Sequence, residues 1–197
     1  MRTTAVLPCT LAMGLLLCGG CSSPPDQQAV AAVEGVGGKV HIGQDGRVTE
    51  VDLSRTPADD QLVAMLAALP AIEKLNLSET QVIGSGLAAL GPLTQLETLY
   101  LVGTPLTDDG MRHIAAMKGL RTLHLGRTKI TDAGLPALRD LTQLRTLSLG
   151  HTDVSDAGLV QLRSLHDLGT LILHHTRVTP NGVKQLRRSL PDTRIED

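Results

Sequence analysis

From about residue 48 the apolar and polar positions of the chain recur at a fixed interval. Leu75, Leu99, Leu123, Leu147 and Leu171 stand 24 residues apart, and Val51 extends the series backward. Two residues later run Leu53, Leu77, Leu101, Leu125, Leu149 and Leu173, and three further on the threonines Thr56, Thr80, Thr104, Thr128, Thr152 and Thr176. A glycine column follows at Gly86, Gly110, Gly134, Gly158 and Gly182. Within one unit, Leu123-His124-Leu125 alternates apolar and polar, which predicts a short strand with the leucines on one face. Leu135, Leu138, Leu141 and Leu144 sit three apart, suiting a helix or tight helical turn with one apolar face. Thr107-Asp108, Thr131-Asp132 and Ser155-Asp156 precede such faces and are read as N-caps, because their oxygens accept from free backbone donors where helices begin. Pro136 falls in the first turn, where a missing N–H matters least.

One such unit cannot bury its leucines alone. Stacked units can, since each strand pairs with the next and burying a leucine contributes roughly 1.5–3 kcal/mol. The threonine column is expected to form a ladder, each hydroxyl serving backbone groups of the neighbouring turn.

The unit, written L-x-x-L-x-L-x-x-T-x-[IV]-T-D-x-G-L, resembles the leucine-rich repeat, closest to the variant of ribonuclease inhibitor and the F-box-associated proteins. Thr stands here where that family's turn has Asn or Cys. The resemblance implies an α/β solenoid, a horseshoe with a parallel β-sheet on the concave face and short helices on the convex face. Residues 51–190 hold the repeats, about six units of period 24. Residues 39–50 are read as an N-terminal capping hairpin turning at Gln44-Asp45-Gly46. Residues 191–197 are read as a C-terminal cap, because open sheet edges need cover.

The N-terminus follows a different pattern. MRTTAVLPCTLAMGLLLCGGC has one basic residue, Arg2, and an apolar run too short for a span of ~20 residues. Its end, Leu17-Cys18-Gly19-Gly20-Cys21, resembles the lipobox of bacterial lipoprotein signals, with Cys18 where Leu is usual. The resemblance implies removal of residues 1–20 and lipidation of Cys21, anchoring the protein to a membrane of the cell envelope. A plain cleaved signal, giving a secreted protein, is the alternative. Residues 21–38, rich in Ser, Pro, Gln and Gly, are read as a flexible tether.

Composition narrows the function. The chain of 197 residues carries 18 Lys+Arg against 20 Asp+Glu, and Tyr100 is its single aromatic residue. Neither a strongly basic patch nor the aromatic platforms of single-stranded nucleic-acid binding are present, so no nucleic-acid partner is expected. All three cysteines lie in the first 21 residues, leaving the repeats without a thiol ligand, nucleophile or disulfide. Nucleophile elbows, phosphate loops and dinucleotide fingerprints are absent as well. The expectation is a protein that is not an enzyme and needs no cofactor. It is expected to be a monomer that binds a protein partner.

The variable positions of the predicted strands are where that partner would dock. They bring together Tyr100, His124, Arg127, His151, His174 and His175, the candidate binding residues on the concave face. His151 and His175 occupy equivalent places on adjacent strands, about 4.7–4.9 Å apart in backbone. Imidazole ligates zinc, but no cysteine, HExxH motif or close carboxylate set completes a shell. A histidine-based metal-binding protein and a structural envelope scaffold without a ligand are therefore the alternatives. His41, His113 and His166 lie off this face and are expected to be exposed or capping.

Overall fold

The computed structural model describes residues 24–197. The expected signal peptide, residues 1–20, and the candidate lipidation site Cys21 lie outside those residues. Eight strands form one sheet in chain order. They are β1 (Lys39–Ile42), β2 (Val48–Asp52), β3 (Lys74–Asn76), β4 (Thr98–Tyr100), β5 (Thr122–His124), β6 (Thr146–Ser148), β7 (Thr170–Ile172) and β8 (Arg194–Glu196). β1 and β2 pair antiparallel, and every later pair is parallel. Register follows the sequence period: Leu75 pairs with Leu99, Leu99 with Leu123, Leu123 with Leu147 and Leu147 with Leu171. These five leucines are fully buried.

Each unit returns along the opposite side of the coil through a short helical segment. These are α2 (Asp60–Met65), a 3-10 turn at Ser85–Leu90, α3 (Asp108–Ile114), a 3-10 turn at Leu135–Leu138, α4 (Asp156–Leu159) and α5 (Pro180–Leu186). Leucines three apart match the three residues per turn of a 3-10 helix, so Leu135 and Leu138 both face inward. The core is the space between these turns and the sheet, filled by aliphatic side chains together with Met111 and Met117 and without an aromatic ring.

Two structural roles differ from those the sequence suggests. The threonine hydroxyls close their own turn instead of reaching to the neighbour: Thr56, Thr80, Thr104, Thr128, Thr152 and Thr176 each donate to the leucine carbonyl three residues back, at 2.6–2.8 Å. The bonds between units are made by the aspartates, read from the sequence only as caps. Asp132 accepts from the backbone N–H of Ser155 at 2.7 Å and from its hydroxyl at 2.5 Å. Asp108 holds Thr131, and Asp156 holds Thr179, in the same two-point manner. Asp60 instead accepts from three backbone N–H groups, those of Ile83, Gly84 and Gly86. Of the three Thr/Ser positions read as caps, Ser155 caps α4 by accepting from Ala157. Thr107 makes no side-chain cap bond, and Thr131 accepts from Ala133 ahead of the 3-10 turn.

These rungs explain the last three glycines of the column. A methyl group on Gly134, Gly158 or Gly182 would run into Oδ1 of Asp108, Asp132 or Asp156 respectively. The rung position at residue 84 holds glycine, with φ +120°, and its Cα packs against Gly110 instead.

At the N-terminal end the expected tether is replaced by a helix over most of its length. α1 (Pro25–Gly35) starts with Pro at its first position and Asp26 in its first turn, both favourable at a helix start. It buries Ala29 and Val33, one turn apart, in the core. Their small side chains let the helix lie close over the first unit, which a flexible linker would leave open to water. β1 then turns back into β2 through Gly43–Arg47, with Gly46 at φ +78°. At the far end Ile195 of β8 is buried against Leu171, so residues 194–196 extend the sheet by one strand.

Candidate functional site

Each strand ends in the same turn, and that turn shapes the rim of the concave face. The turn spans four residues, from the second leucine to the threonine, and its third residue has positive φ, as in a type II turn. This column reads Arg55 (φ 59°), Glu79 (58°), Gly103 (70°), Arg127 (56°), His151 (58°) and His175 (56°). Left-handed backbone suits glycine and costs other residues of order 1–3 kcal/mol. The turn tolerates them because their N–H groups continue the parallel ladder: Arg127 donates to the Gly150 carbonyl at 2.9 Å and His151 to the His174 carbonyl at 2.8 Å.

The six candidate residues fall into two groups. Tyr100 and His124 sit mid-strand on β4 and β5, in register, with rings stacked at 4.9 Å between centroids. Both are half-buried, and burial holds the His124 imidazole below its ordinary value of 6.5. Arg127, His151 and His175 lie instead along the rim column. The His151 and His175 rings stack at 4.3 Å, inclined by 25°. His151 is also held below 6.5, first by loss of water beside it and then by the positive charges of His175, Arg127 and His174. His174 points from the neighbouring column and meets Glu196 at 3.8 Å. Stacked imidazoles present their faces, not their lone pairs, to one another. No group of three His, Cys, Asp or Glu able to hold a metal occurs among the described residues. Off this face, His41 and His166 are exposed and His113 is half-buried in α3.

Charge is distributed unevenly along the rim. In the first units cations are matched: Lys74 with Glu50 at 3.3 Å, and Arg55 with Glu79 at 3.2 Å. Arg127 and Lys129 enter no ion pair among the described residues. Between the two halves, Gly103 leaves the column without a side chain. A shallow hollow of about 490 Å³ opens there, lined among others by Gln81, Gly103, Pro105, Arg127, Lys129 and His151. Lys129 and this hollow escape a search for histidines and strand positions. The signal that would have found them is Gly103, the one glycine in its column. A larger, mostly apolar groove of about 740 Å³ lies at the other end of the coil, between α1, the β1–β2 turn and Leu69–Ala71, remote in sequence from all six candidate residues.

A leucine rich repeat family model matches residues 94–154. Among solved structures the chain is similar to an internalin of Listeria monocytogenes, with TM-score 0.59 and 21% identity over 68% of this chain and 37% of that one. A second, internalin C2 of the same organism, has TM-score 0.56 and 24% identity, covering 87% and 81%. The fold is a leucine-rich repeat solenoid. A leucine-rich repeat protein of Leptospira interrogans is also similar, with TM-score 0.52 and 20% identity over 68% of this chain and 39% of that one. The chain thus spans under two-fifths of the first internalin and of the Leptospira protein. No sequence among curated proteins matches it. Solenoids of this kind offer extended concave surfaces for binding other proteins. No helix among the described residues is long and apolar enough to cross a membrane.

Proposed function

We propose that the protein is a non-enzymatic recognition module, held at the cell envelope through a lipidated Cys21, that binds a protein partner across its concave face. We also read its threonine-bearing unit as the ribonuclease-inhibitor-like variant of the repeat, on the strength of the T-D-x-G-L motif. The observation that carries the binding reading is a division of labour between side chains. The column leucines, the rung aspartates and the glycines that face them stack the units, and the column threonines close each turn. Tyr100, His124, Arg127, His151, His174 and His175 contribute nothing to the buried core, yet lie on or beside one concave sheet. The near-neutral charge of the chain and its lack of aromatic platforms argue against nucleic acid as the partner.

A photo-crosslinking residue placed at His174 or His124 should capture a discrete protein in envelope preparations, and the same probe at the convex Arg163 should not. Equal capture from both faces, or none from the concave one, would overturn the reading and favour a scaffold without a ligand. Labelled palmitate should enter the wild-type chain and be absent from Cys21→Ser; incorporation that persists in that variant would refute the anchor.

A further inference from the structure

The rim column poses a question that stacking does not answer. Gly103 makes the same turn as its neighbours without the cost of a left-handed side chain, so Arg127, His151 and His175 are not required for the turn. Three costly positions in succession, beside an unfilled place in the same column, point to a role outside the fold. Their chemistry narrows that role. Arg127, Lys129 and Arg177 are exposed cations; of the nearby carboxylates, Asp132 and Asp156 are held by Ser155 and Thr179, and Asp153 lies between Lys129 and Arg177 in its column. Glu79, across the gap, is already held by Arg55. The two stacked histidines offer flat ring faces beside the cations.

We propose that the hollow over Gly103 seats an acidic side chain of an extended polypeptide partner. The carboxylate enters above Gly103, Arg127 receives it with its planar fork, Lys129 supplies a second donor, and the partner's backbone runs on along the His151–His175 stack. This rests on the concave-face reading and names the partner's chemistry at one end of that face. A carboxylate fits better than a phosphate group. Few cations surround the hollow, too few to balance a dianion well, while one guanidinium matches one carboxylate in two parallel hydrogen bonds. The hollow is open and shallow, which suits a side chain projecting from a strand more than an enclosed small molecule.

The test is a titration of isotope-labelled protein, followed by NMR, with a peptide of alternating Glu and Ser. Its Gln counterpart and a phosphoserine counterpart serve as controls. Resonances of Gly103, Arg127, Lys129 and His151 should shift with the Glu peptide and remain still with the Gln peptide. Arg127→Gly should weaken binding about tenfold, as expected for loss of a charge-assisted hydrogen bond. Because glycine suits that backbone, this variant should melt no lower than wild type, so unfolding cannot explain the loss. Gly103→Asp should weaken binding as well, by placing a carboxylate of the protein's own beside Arg127. Unchanged affinity in Arg127→Gly, shifts confined to other surfaces, or tenfold tighter binding of the phosphoserine peptide at the same residues would each overturn the proposal. If concave crosslinking still captures a protein while the Glu peptide fails, the hollow assignment falls and the broader reading stands. If the peptide binds but no concave crosslink forms, the broader reading falls.

Discussion

His124 shows how a single side chain reports on its neighbours. The Tyr100 ring lies over it and the sheet lies beneath, and loss of water disfavours the charged imidazole. Its proton affinity is therefore lower in the folded chain than in the unfolded one. Between the two values the unfolded chain binds more protons, so the contribution of His124 to stability is fully present above about pH 6.5 and is lost as the pH falls through the folded value. NMR titration should place His124 below 6.5 and return it toward that value in Tyr100→Ala. A titration identical in the two proteins would show that the tyrosine is not the cover. The rim residues teach a different lesson. Their left-handed backbone was not legible in the sequence, because Glu, Arg and His occupy a conformation normally announced by Gly or Asn.

Between neighbouring turns, the Asp132–Ser155 rung and Gly158 act as one device. The carboxylate occupies the space that a side chain at position 158 would need. Asp132→Ala should cost about 1–3 kcal/mol, since it removes two hydrogen bonds to a charged acceptor at a half-buried site. Gly158→Ala should cost a similar 1–3 kcal/mol by overpacking. The double variant should cost clearly less than the two together, because removing the carboxylate makes room for the methyl group. Strict additivity in chemical denaturation would refute the coupling. The sequence displayed both columns, but it could not show that Asp of one unit faces Gly of the next. That contact depends on how far one turn is displaced over another, which residue spacing does not encode.

Across the whole molecule, the repeating part was readable because stacking forces every layer to repeat the same pattern. The leucine columns, their register and the parallel sheet all follow from the 24-residue period. The first segment was not readable for the opposite reason. It has no second copy, and its two inward residues, Ala29 and Val33, are small and set among Pro, Gln and Gly. The site was legible to an intermediate degree. Equivalent positions in adjacent repeats bring His151 and His175 together, in the turns after β6 and β7 and not on the strands where the sequence put them, whereas the hollow arises from a missing side chain at Gly103.

The gap in the carboxylate series at Gly84 gives the coil a weak point. Asp60 ties the second turn to the third, and Asp108, Asp132 and Asp156 lash the later ones, but no acid spans from residue 84 to Thr107. Pulled from its two ends in an optical trap, the molecule should come apart first at that joint, releasing the leading turns as one block and the trailing turns as another. Rupture beginning at an outer turn would show that aliphatic packing, not the acid rungs, sets mechanical strength.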